Sequence, residues 1–142
     1  MVNALTLIGK LDPALISRHD KAQLFFRRCL WHKDRKVFLL FENAILGKEG
    51  WTGALLAPFC SLLIEAMEAA AGAGGEDRRQ SLVRALAKLS DNVLMPHLDA
   101  LRGLMEREEI HGVRLAMLEL PRSIRDQCLS VGWLGDLNPT YN

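Results

Sequence analysis

Cys29 and His32 lie three residues apart, a spacing that can set a thiolate and an imidazole on one side of a helix as two metal ligands. A tetrahedral zinc site needs two more donors. The remaining ones, Cys60, Cys128, His19, His97 and His111, contain no second close pair, so the expectation is a buried cysteine beside a surface histidine and no metal. Glu65 and Glu68 repeat the three-residue spacing of helical carboxylate sites. No Glu-x-x-His segment accompanies them, which leaves a solvated helix edge. Arg27 with His32 five positions later is a pairing common by chance. The chain has no glycine-rich phosphate loop, no nucleophile elbow and no metalloprotease histidine pair, so no catalytic residue and no cofactor is assigned.

The informative chemistry is electrostatic. Between Lys10 and Lys36, eight basic residues meet three acidic ones, a local balance of +5 that leaves −4 for the rest of a chain whose net charge is +1. On a continuous helix, Arg18, Lys21, Phe25, Arg28, His32 and Arg35 follow one another in steps of three and four and share a face. These six are the candidate nucleic-acid-binding residues: the cations would displace counterions from phosphates and the ring would offer a stacking surface. The competing reading is a solvated face whose cations pair with acidic side chains of the carboxyl-terminal half, with Phe25 turned into the core beside Phe26.

The elements that must carry this stripe follow from caps and periodicity. Asp12 and Pro13 suit an N-cap and a first helical position, and the spacing of Leu15, Ala22, Phe26, Cys29 and Leu30 predicts a helix from Pro13 to His32. Asp34 caps a second helix through Val37, Phe38, Phe41, Ala44 and Ile45, stopped by Gly47. A strand over Lys36 to Phe41 is the rival, and no partner strand is evident. Thr52 opens an Ala- and Leu-rich segment running to Ala71, nearly without polar positions from Ala54 to Ile64 and interrupted by Pro58, which reads as the buried central element. Gly72 to Gly75 gives a flexible loop before Glu76 and Asp77, whose charges suit a helix amino terminus. Leu82, Leu86, Leu89 and Val93, then Leu94, Leu98, Leu101 and Met105, predict two helices with a tight joint near Ser90 and Pro96. A segment from Ile110 to Leu120 ends at Pro121, and Ile124, Cys128 and Val131 form a last short helix stopped by Gly132. Trp31, Trp51 and Trp133 fall near helix ends as core lids, and Trp133 to Asn142 reads as a strap over the bundle. No internal repeat is found.

The expected fold is thus all-α, a compact bundle of about six helices in one domain over residues 1–142. A chain of 142 residues with 49% hydrophobic and 25% charged side chains excludes wholesale disorder. The longest apolar run, Ala54 to Ile64, is too short to span a membrane, and three cysteines are too few for a disulfide framework. The expectation is a non-catalytic accessory subunit of a larger cytoplasmic protein or nucleoprotein complex, touching nucleic acid through the basic face, with no membrane partner and a homo-oligomer left open. An adaptor or chaperone working through an apolar surface is the alternative, and an enzyme whose site does not show in sequence is a third.

Overall fold

The computed structural model describes residues 7, 9–72 and 74–128. Among them all regular structure is helical. Asp12 is extended and its carboxylate accepts the Ala14 amide at 3.0 Å, starting α1 at Pro13–Ser17. The expected unbroken helix to His32 is not formed. The chain turns at Arg18–Lys21, where the Lys21 amide donates to His19 Nδ1 at 3.1 Å, a local side-chain bond that competes with the helical ladder. It then resumes as α2, Ala22–Leu30, burying Ala22, Phe26, Cys29 and Leu30 at helical spacing.

Asp34 caps α3, Arg35–Phe41, and the Val- and Phe-rich stretch is helix, as preferred over strand. It continues as one π turn, Glu42–Leu46, closed by the Gly47 amide on the Glu42 carbonyl at 2.7 Å. Thr52 caps α4, Gly53–Leu56. Pro58, lacking a donor, sits in a 3₁₀ turn, Ala57–Phe59, that tilts the chain into α5, Cys60–Ala69. After the glycine loop comes α6, Glu76–Leu86, and then the same device recurs: Ser90 opens α7, Asp91–Leu94, Pro96 sits in the 3₁₀ turn Met95–His97, and α8 runs Leu98–Arg107. The described chain closes with α9, His111–Met117, and α10, Arg122–Cys128. Counting each helix with its 3₁₀ or π extension as one, and α1 and α2 separately, gives eight helices among the described residues where about six were expected; the break at Arg18–Lys21 adds one, while the separation of α9 and α10 at Pro121 was expected. The expected stop at Gly132 and the strap Trp133 to Asn142 lie outside the described residues.

The arrangement has a period that the sequence reading missed. The caps Thr52 and Ser90 are 38 residues apart, and at that offset Leu56, Pro58, Leu63, Met67 and Glu68 meet Leu94, Pro96, Leu101, Met105 and Glu106. Asp12, 40 residues before Thr52, opens another broken rod, the first in chain order, whose break has no proline. These rods, α1 with α2, α4 with α5 and α7 with α8, form one layer: α1 packs on α4, α2 on α5, and α5 on α8. The intervening helices form the other, α3 with its π turn on α6 and α6 on α9, while α10 packs on α7 and α8. Successive helix pairs that bury their apolar faces only against neighbouring pairs are the construction of helical repeat arrays.

The buried residues form one continuous cluster from Ala22 to Cys128. Its aromatic centre is Phe26, stacked on Phe59 at 3.7 Å and set edge-on to Phe41 at 5.0 Å, with the buried Trp51 at 5.6 Å. One ring from α2 thereby joins α3 and the second broken rod. No helix among the described residues is long and apolar enough to cross a membrane.

Candidate functional site

The break at Arg18–Lys21 and a second at Trp31–Asp34 distribute the six candidate residues over four places. Arg18 caps the end of α1 and donates from Nε to the Ala14 carbonyl at 3.1 Å. Lys21 and Phe25 line an apolar groove with Leu11, Leu15, Ile16 and Ala22. Phe25 is half-buried, edge-on to Phe41 at 6.2 Å, so its ring is not a stacking platform among the cations. Arg35, at the start of α3, is ion-paired with Asp77 of α6. Arg28 and His32 stay together in a fourth setting.

Those two belong to a different constellation at the carboxyl end of α2. Arg27, Arg28, Trp31, His32 and Lys33 surround an open depression of about 650 Å³. The Arg27 guanidinium lies over the Trp31 ring at 4.9 Å and pairs with Glu65 of α5 at 3.1 Å. His32 accepts the Asp34 amide on Nδ1 at 3.0 Å. Arg28 and Lys33 are exposed and have no ion pair among the described residues. Positive charge at a helix carboxyl terminus is favoured by the helix dipole, which accounts for α2 ending on this cluster.

Behind the depression, a second cavity of about 380 Å³ runs between α2, α5 and α6, sharing Trp31, His32 and Lys33 and walled by Arg78, Ala66, Ala70 and Leu82. Arg78 donates to the Leu30 carbonyl at 3.3 Å and the His32 carbonyl at 2.7 Å, and its guanidinium lies over Phe38 at 4.9 Å. Burial, aided by Arg35, lowers its pKa. Arg79 is buried more deeply. It holds Glu108 through Nε at 2.7 Å and Nη2 at 3.2 Å, and Nη1 caps the end of α5 at the Ala70 and Gly72 carbonyls. Glu108 in turn accepts the Ile110 amide at 3.2 Å. Sequence reasoning passed over both arginines, although there was a signal. Two cations in the first turn of a helix oppose its dipole, so they imply a tertiary partner.

The cysteines and the Glu65 and Glu68 pair were not expected to form sites. Cys29 is fully buried, and burial pushes its thiol up to about 12; Cys60 is pushed up to about 11 and Cys128 upward by the same cause. No three His, Cys, Asp or Glu side chains converge among the described residues. Glu65 is taken by Arg27 and Glu68 is exposed at the helix edge. Comparison with protein-family models, with curated proteins and with solved structures returns no match.

Proposed function

We propose that the protein is a non-catalytic helical accessory subunit of a larger cytoplasmic assembly, and that its contact with nucleic acid is the depression at the end of α2. The observation that carries this reading is the pair Arg28 and Lys33, exposed and unpaired among the described residues around Trp31 and His32. Because Arg27 covers the indole and Phe25 lies in the apolar groove, the contact is to phosphates rather than stacked bases, and it is insensitive to base sequence. Three buried free thiols suit a reducing compartment.

The test is a salt titration. Each phosphate contact contributes a log-log slope of about −0.9 on duplex or about −0.7 on single strands, so Arg28→Gln with Lys33→Gln should flatten the slope by roughly 1.4 to 1.8. The Arg18→Gln variant should leave the slope alone. Absence of binding at about 50 mM salt, where backbone contacts are strongest, would remove the reading.

A further inference from the structure

The apolar groove beside α1 calls for a partner that the nucleic-acid contact does not supply. Its walls are Leu11, Leu15, Ile16, Ala22 and Phe25, enclosing about 320 Å³. Leu11 is 55% exposed and Leu15 60%. In the second and third broken rods the residues at the places of Ile16 in the helical pattern, Leu56 and Leu94, are fully buried.

The rim is basic. Lys10, Arg18 and Lys21 are exposed, and Lys21 makes no ion pair among the described residues. Asp12 caps α1, and Asp20 is exposed 3.1 Å from His19 Nδ1, the atom that accepts the Lys21 amide, so the three cations of the rim face two carboxylates. An apolar floor with a cationic rim is complementary to an amphipathic helix whose apolar stripe is flanked by Glu and Asp. A helix is favoured over an extended strand because no described element offers a strand edge to add to. We infer that the groove of Leu11, Leu15, Ile16, Ala22 and Phe25 is a docking site for an acidic amphipathic helix of another protein, seated beside the first rod as the rods of the array seat on one another. This site stands apart from the depression at the end of α2, so either can fail without the other.

The experiment uses the full chain and three synthetic peptides of about five helical turns: one with Leu at positions i, i+3, i+4 and i+7 and Glu on the flanks, a scramble of it, and a version with Lys in place of every Glu. The acidic amphipath should bind, and the scramble and the Lys version should not. Leu15→Asp and Lys21→Glu should each weaken the acidic peptide by about tenfold or more, as losses at an interface centre and rim do. Arg28→Gln should leave peptide affinity unchanged. Leu15 and Lys21 are exposed, so both variants should melt with the parent, and circular dichroism checks this. Equal binding of the acidic and Lys peptides, or no binding of either, overturns the proposal. A concentration-dependent dimer in sedimentation that Leu15→Asp abolishes overturns it too, because the occupant would then be a second copy of this chain.

Discussion

The first and second broken rods pack side by side and are secured in different ways. In the first, the break at Arg18–Lys21 has no proline, the end of α2 is capped by Arg78 from another helix, and the ion pair Arg27–Glu65 is half-exposed. In the second, Pro58 sets the break, α5 touches α2, α6 and α8, and its carboxyl end is clamped by Arg79, itself locked to Glu108 with both side chains nearly sealed from solvent. The difference separates roles: charge in the first rod is left to solvent and to partners, while charge around the second is used to join successive helix pairs.

The largest effect that can break this contrast is at the buried pair. Removing one member strands the other as a nearly buried, unpaired charge, which typically costs about 3 to 5 kcal/mol. Arg79→Ala and Glu108→Ala should therefore each lower the urea midpoint steeply, and the double variant should cost less than the two singles together, since it leaves no orphaned charge. Additive costs would show that the two residues act separately and that the clamp is mainly the bond to the Ala70 and Gly72 carbonyls.

Next in size is the close approach at the start of the second rod. A Cβ on Gly53 would lie 1.9 Å from the Lys88 carbonyl oxygen, so backbone must move. Overpacking of this kind costs about 1 to 3 kcal/mol, and Gly53→Ala should be destabilising even though alanine is the better helix former. The same contact explains Lys88, which reaches back to the Leu46 carbonyl at 2.7 Å and is drawn below its ordinary pKa by burial. A neutral or stabilising result would mean that the two loops separate freely.

How much of this was legible follows from where each signal lives. Helix type was written locally, in the caps Asp12, Asp34 and Thr52 and in the three-and-four spacing of α2 and α3. The proline joints were legible too, because a missing donor acts within one turn. The stripe failed because it assumed one continuous helix. The turn at His19 depends on α1 packing against α4, where Ser17 donates to the Leu55 carbonyl at 3.0 Å, and spacing alone does not encode that partner. The repeat went unseen because, between the second and third rods, five positions recur at the 38-residue offset while the residues between them differ. Arg79 and Glu108, 29 positions apart, meet only once the helix pairs are stacked.

The buried thiols extend the contrast to pH. Unfolding releases Cys29 and Cys60 to an ordinary value near 9, against about 12 and about 11 in the folded protein. Their contribution is therefore fully present below pH 9 and is lost as pH climbs through 9 toward the folded values, by at most about 1.4 kcal/mol per pH unit for each thiol. Stability measured from pH 8 to 10.5 should fall, and the Cys29→Ala, Cys60→Ala double variant should fall less. Parallel slopes would place the alkaline loss in other groups.

The smallest effects should come from the surface pairs, and they sharpen the comparison because their chemistry is the same as that of the clamp. Arg27–Glu65 at 3.1 Å and Arg35–Asp77 join helices within each layer, whereas Arg79–Glu108 joins the two layers, and each of the former side chains is more than half exposed. Water screens such pairs to about 0 to 1 kcal/mol, and salt weakens them further. Arg27→Gln and Arg35→Gln should each shift the urea midpoint only slightly, and the shift should vanish at about 1 M salt, where the screening length is about 3 Å, while the loss in Arg79→Ala should persist because its partners are out of reach of ions. A large, salt-resistant loss in Arg27→Gln would mean that its pair with Glu65 is structural in the way of the clamp, and that the first rod is secured by charge after all.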